Sequence, residues 1–201
     1  MKFLLPADYA YCYTRDADII LQSNFNSHLQ DLADALDYFY ILPHELEAGL
    51  GNQNELVKRF TGLLTAETSN EVWQTEVEKT AHKTDIFTPG IAIEVEWNNK
   101  DPFFYRDLLS FNLLYKNKEI AVGVIVTRGR QLQMLLKEID KQKYGESTTH
   151  LSKLMHLLNT YKEEFTCPLM LIGIEPPRIK KDKSSQEHYS WQPDLFEENA
   201  A

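Results

Sequence analysis

Two short, unbroken apolar runs constrain this chain more than anything else in it: IAVGVIV at 120–126 and LMLIGI at 169–174. Runs of that length and β-branched content are typical of strands covered on both faces. Between them lie a polar, helix-compatible stretch at 131–143 and a stretch with Leu151, Leu154, Met155, Leu158 and Tyr161 on one face. The strand–helix–strand order predicts an α/β fold, a central mixed or parallel sheet with helices on its faces.

Upstream, the first half reads as helical. Leu29, Leu32, Ala33, Leu36, Phe39 and Tyr40 recur at three-and-four spacing and stop at Pro43. A second helix is expected over 54–64, with Leu56, Val57, Phe60 and Leu64 inward, and a third over 69–82. The period then changes to two: Ile91, Ile93, Val95 and Trp97 alternate with polar neighbours. Thr88-Pro89-Gly90 marks a turn before this strand, so residues near 85–87 form the first arm of a hairpin. Asp101-Pro102 opens a further helix running to about Tyr115.

The chain has 201 residues, 43% of them hydrophobic, which suits one domain with an ordinary core. Thirty acidic against 21 basic residues give a net charge of -9, which argues against a uniformly basic polyanion binder. Cys12 and Cys167 match no ligand spacing or disulfide framework, and both are expected reduced, with one of them buried. The N-terminal apolar burst is broken by Pro6, and no stretch approaches the ~20 apolar residues of a membrane span. A soluble, cytoplasmic protein with no membrane partner is therefore expected.

The chemistry concentrates in DIFTPGIAIEVE, 85–96. Side chains two apart on a strand share a face, so Glu94 and Glu96 project together, and the hairpin brings Asp85 beside them. Three carboxylates in one patch repel unless a cation sits among them, and hard oxygen donors suit Mg²⁺. Such a site lowers the pKa of a bound water and stabilises charge on a phosphodiester. The competing reading is an amphipathic edge strand with its glutamates in water.

Asp, eight residues, Glu, any residue and then Glu is a form of the PD-(D/E)XK nuclease pattern. TDIFTPGIAIEVEW resembles the BglII/BstYI-type restriction endonucleases, which have a similar acidic residue, the same gap and an I/V-E-V-Q strand. The likeness continues through the helix after Pro102, the strand AVGVIVTRG and the closing strand PLMLIGIEPP. It implies a restriction-endonuclease-like core over 84–177, a helical N-terminal part over 1–83, and a polar C-terminal extension over 178–201. Tyr189, Trp191 and Phe196 of that extension are candidates to dock on the body.

By this resemblance Asp85 and Glu94 are Mg²⁺ ligands, with Mn²⁺ as a substitute, and the Val95 carbonyl adds an oxygen. Glu96 occupies the position usually held by Lys, and by Gln in the nearest relatives. A glutamate there resembles the BamHI-type arrangement, in which it accepts a proton from the attacking water or helps to hold metal. Glu55 is an outer-shell candidate, with exposed surface glutamate as the alternative.

Double-stranded DNA is the implied partner. Asn98 and Asn99 follow the catalytic strand, and asparagine pairs bidentately with adenine; a plain Asn-Asn turn is the alternative. Arg128 and Arg130 close the second buried strand, where arginine clamps phosphate or reads guanine. Ser147, Thr148 and Thr149 lie in a loop that either contacts bases or caps the next helix at Thr148 or Thr149. Lys83, and His82 beside it, lie close enough to Asp85 to touch phosphate.

The resemblance further implies a type II endonuclease acting as a homodimer on a short palindromic site, GATC-centred in the nearest relatives. The faces at 29–40 and 151–161 are candidate dimer surfaces. Two rivals remain: a PD-(D/E)XK nuclease of repair or structure-specific type, and a non-catalytic α/β protein.

Overall fold

A computed structural model describes residues 5–47, 55–66, 73–80, 83–97, 99–100 and 102–180. The two apolar runs form β5 (Ile120–Arg128) and β6 (Leu169–Ile174), parallel neighbours at the centre of a six-stranded sheet. β4 (Gly90–Glu96) lies parallel to β5 on its other side. β3 (Lys83–Thr88) folds back antiparallel on β4 through the expected turn, where Gly90 adopts φ 101°, a conformation that suits glycine.

The N-terminal part is less helical than its periodicity suggests. β1 (Tyr9–Thr14) adds antiparallel to β6 at one edge, pairing Tyr9 with Ile174. β2 (Gln74–Glu78) closes the other edge against β3, within the stretch expected to be a helix over 69–82. Its hydrogen bonds to β3 override the helix preference of its Glu and Gln residues, and being an edge strand it is largely exposed. The sheet order is therefore β1-β6-β5-β4-β3-β2.

Helices cover both faces. α1 (Ala17–Asn24), α2 (Asn26–Tyr38), the short α3 (Pro43–Glu47) and α4 (Glu55–Ala66) precede β2, and α6 (Arg130–Ile139) follows β5. Leu21, Leu36, Phe39, Phe60 and Leu132 of this group pack with Ile91, Ile93, Val95 and Trp97 on one face. α5 (Phe103–Lys116) and α7 (Leu151–Thr160) cover the other, where Phe104, Leu108, Phe111, Leu151 and Leu154 meet Phe87, Ala92 and Ile125. Each of the crossovers β4–α5–β5 and β5–α6–α7–β6 joins parallel strands, as such connections require.

Residues 178–180, beyond the expected core limit, are tied to the body. Arg178 is buried, stacks on Tyr9 and Tyr40, and donates to the carbonyls of Leu36 and Asp37. Ile179 bridges Ile41, and the Lys180 N–H donates to the Ile41 carbonyl at 2.8 Å. Tyr189, Trp191 and Phe196 lie outside the described residues. Cys12 and Cys167 are free thiols, the latter buried. Among the described residues no helix is long and apolar enough to cross a membrane.

Candidate active site

The period-two alternation of β4 decides what its carboxylates face. Ile91, Ile93, Val95 and Trp97 point into the layer beneath α2 and α4, which turns Ala92, Glu94 and Glu96 toward α5. β4 is an interior strand, so its polar face is not in water: Glu94 is 1% exposed and Glu96 is 3%. The solvated-edge reading of these glutamates is thereby removed.

The β3–β4 ladder carries Ile86 opposite Ile93 and then ends. At that point the Asp85 carboxylate accepts the Val95 N–H at 2.9 Å. Burial raises the Asp85 carboxyl to about 6 despite that bond, with the Glu96 and Glu76 charges adding to the rise. Glu94 is pushed well above the usual carboxylate range, first by burial and then by Asp107, Asp85 and Glu96. Asp85, Glu94 and Glu96 thus form one interacting group, as their spacing predicts.

Asp107 is the fourth carboxyl, supplied by α5 and fully buried. Burial comes first in raising its pKa, followed by the charge of Glu96 and a hydrogen bond to it. Beside it, Arg106 donates through Nε and Nη2 to Asp107 Oδ1 at 3.2 and 3.0 Å. The same Nη2 lies 3.6 Å from Glu96 Oε1. The Asn99 side-chain amide donates to Glu96 Oε2 at 2.6 Å, so both oxygens of this glutamate are engaged. Sequence reasoning missed Arg106 and Asp107. A signal existed, since Asp107 falls on the 104-107-108-111 stripe that α5 buries, where a carboxylate needs a reason.

The donor chemistry fits a hard divalent cation. Buried, mutually repelling carboxyls and the Val95 carbonyl are oxygen ligands whose ionised forms a cation would favour. Among the described residues no three such side chains already converge on an ion position, so the fit is one of donor chemistry.

The other expected residues divide. Lys83 is exposed, shares a strand face with Asp85 and lies 3.9 Å from Glu76. Arg130 and Ser147 are exposed on α6 and the following loop, accessible to a ligand. Asn98 and His82 lie outside the described residues.

Of the two readings of Glu55, its placement favours the surface one. It opens α4, whose buried side chains belong to the opposite face of the sheet, and pairs in the open with His44 at 3.3 Å. Arg128 is corrected from a DNA-reading group to a structural one. It is fully buried near the rings of Trp97 and Tyr144 and donates to Thr148 Oγ1 and the Thr149 carbonyl, each at 2.6 Å. Thr148 and Thr149 are likewise buried. Thr149 exchanges bonds with the Asn99 backbone, N–H to carbonyl at 2.8 Å and N–H to Oγ1 at 3.1 Å. The cap of α7 is His150, whose Nδ1 accepts the Lys153 N–H, rather than either threonine.

A buried carboxylate group on a β3–β4 hairpin, backed by a helix and two parallel strands, is what the nuclease pattern requires. The family model for restriction endonuclease BglII/BglIII matches residues 9–174. The chain belongs to that family. It is accordingly a DNA-binding, DNA-hydrolysing enzyme, and restriction endonucleases of this kind generally use divalent metal ions. No curated protein matches the chain. The matched span begins at β1, the edge strand that sequence reading missed, and runs to the last residue of β6.

Proposed function

We propose that the chain is a Mg²⁺-dependent type II restriction endonuclease that cuts a short palindromic duplex as a homodimer. The observation that carries this reading is that buried Glu94 and Glu96 lie with half-buried Asp85 on the α5 side of the β3–β4 hairpin. Asp85, Glu94 and the Val95 carbonyl would hold the ion. When bound, Mg²⁺ neutralises these carboxylates, eases deprotonation of a water and draws off charge from the phosphate. Glu96 takes the proton as the water oxygen bonds to phosphorus in line with the bridging P–O bond that breaks. The leaving oxygen is reprotonated from solvent.

Arg130, Ser147 and Lys83 remain available for phosphate and base contacts, and Asn98 keeps its proposed role at the DNA. A GATC-centred site and a cytoplasmic location follow from the resemblance alone. Dimerisation is supported by α5, which leaves Tyr105, Leu109 and Leu113 exposed along one stripe, with Tyr161 beside Tyr105. A two-fold axis there sets two sites on opposite DNA strands close together, since α5 also carries Arg106 and Asp107. The 29–40 face, by contrast, is buried in the core from Leu29 to Phe39.

Incubation of the purified protein with a long mixed-sequence duplex and Mg²⁺, followed by sequencing of fragment ends, tests this. Discrete palindromic ends are expected, whereas scattered ends would favour a repair-type nuclease. No cutting with Mg²⁺ or Mn²⁺ would refute the catalytic reading. Glu94→Ala should abolish cutting while preserving cooperative unfolding, and an active variant would place the site elsewhere.

A further inference from the structure

The position that usually supplies a lysine in this nuclease pattern holds Glu96, so β4 offers no cation to the phosphate. The cluster contains four carboxyl groups, Asp85, Glu94, Glu96 and Asp107, and the transition state of phosphodiester hydrolysis adds negative charge. A divalent ion offsets only part of that. Arg106 is the cation that the described residues bring to this cluster, 3.0 Å from Asp107 Oδ1 and 3.6 Å from Glu96 Oε1.

Its two contacts differ in kind. Nε and Nη2 both donate to the fully buried Asp107, and the guanidinium lies 4.5 Å from the Phe103 ring centre, so one edge is fixed. The contact with Glu96 exceeds hydrogen-bond length and is an ion pair only. Meanwhile 39% of the Arg106 side chain is open to solvent, unlike the carboxyls behind it. A guanidinium anchored at one edge, leaning on a carboxylate and open on its outer side is arranged to receive an oxyanion. Its field also lowers the pKa values of Asp85, Glu94 and Asp107, so it reaches the whole cluster.

We propose that Arg106 is a catalytic residue of this nuclease, its guanidinium binding a non-bridging oxygen of the scissile phosphate and stabilising the charge that develops there. The proposal rests on the nuclease reading above. The bonds made and broken are those of that reading, with water oxygen bonding to phosphorus, one bridging P–O bond breaking and the water proton passing to Glu96. Arg106 takes no part in the proton transfer and acts through its charge and its N–H donors.

The test uses the full chain and a synthetic duplex bearing the site read from the fragment ends. Single-turnover cleavage at saturating protein and Mg²⁺ is compared for the native protein, Arg106→Gln, Arg106→Met and Arg106→Lys, alongside thermal melting and metal-free affinity for the same duplex. Loss of one preorganised charge-stabilising donor predicts a fall of ~10²-fold or more for Gln and Met. Their melting and affinity should stay near native, and Lys should recover at least part of the rate. Native rates in the Gln variant would overturn the proposal while leaving the nuclease reading intact. So would rates that fall only with stability or affinity, no recovery by Lys, or failure of both Gln and Met to fold, each of which makes the guanidinium structural. A native protein that cuts no duplex would overturn both readings together.

Discussion

Glu175, the residue after β6, offers a test of the electrostatics that does not involve the catalytic carboxylates. Its Oε2 accepts the N–H groups of Gln131 and Leu132, each at 3.1 Å, at the start of α6. Gly129 lies so close that a Cβ there would stand 2.3 Å from the carboxyl carbon. Burial raises the Glu175 carboxyl from 4.5 to about 7, outweighing the backbone donors that favour its charge. A folded pKa above the unfolded one means that ionisation costs stability. The cost is absent below about 4.5, grows between 4.5 and 7, and is complete above that. The shift corresponds to ~3 kcal/mol at most; allowing for the part of the side chain that water reaches, ~1–3 kcal/mol is expected. Glu175→Gln keeps an acceptor for the two N–H groups and removes the charge. It should therefore be more stable than the native protein at pH 8 by about that amount, with the advantage vanishing toward pH 4.5. Urea unfolding midpoints at pH 8, 6 and 4.5, with unchanged m-values, give the comparison. A glutamine variant no more stable at pH 8, or a difference that does not depend on pH, would mean that the charged form's bonds to α6 outweigh its burial.

Two further outcomes follow from the packing around the site. Gly123, in the middle of β5, leaves space that the Phe111 ring fills, since a Cβ there would fall 2.4 Å from Phe111 Cδ2. Gly123→Ala should cost ~1–3 kcal/mol in chemical denaturation, and Phe111→Leu in the same chain should recover part of it; simple additivity of the two losses would refute the contact. Asn99→Ala releases Glu96 Oε2, so single-turnover cleavage should fall more than metal-free DNA affinity; a change of cleavage site or a loss of affinity instead would assign Asn99 to base reading.

The centre of the sheet was legible because each strand declared its own burial. IAVGVIV and LMLIGI have no polar side to expose, and the alternation at 91–97 placed Glu94 and Glu96 on one face before any tertiary information. The edges were not legible for the opposite reason. β1 pairs with a strand some 160 positions away, and no element was expected there although its alternating tyrosines suit a strand; β2 is largely exposed, so it carries little local apolar signal to oppose helix propensity. Arg128 misled because a basic residue at a strand end normally reaches water. Only the distant Trp97 and Tyr144, with Thr148 and Thr149, turn it inward. Asp107 was hidden differently, in a helix whose apolar stripe was recognised without asking why one of its positions is acidic.

The net charge of -9 is a poor guide to the field that DNA meets. Eighteen acidic residues against nine basic lie in 1–117, whereas 118–183 have 12 basic and eight acidic. Burial raises the pKa values of Asp85, Glu94 and Asp107 in the acidic part, which opposes negative charge at the centre of the free protein. A cation changes that balance twice. It favours the ionised carboxylates, and it reverses the sign of the field at the place where phosphate arrives. On the reading proposed above, metal and DNA therefore favour each other's binding, because each reduces the electrostatic cost of admitting the other. On the same reading, the basic segment that includes Arg130, Lys137, Lys141, Lys143 and Lys153 would supply the salt-dependent attraction that brings the duplex in. On that reading, attraction to the backbone and competence to cut belong to different groups, the first to the basic residues of 118–183, the second to carboxyls that are buried or half-buried until a divalent ion joins them.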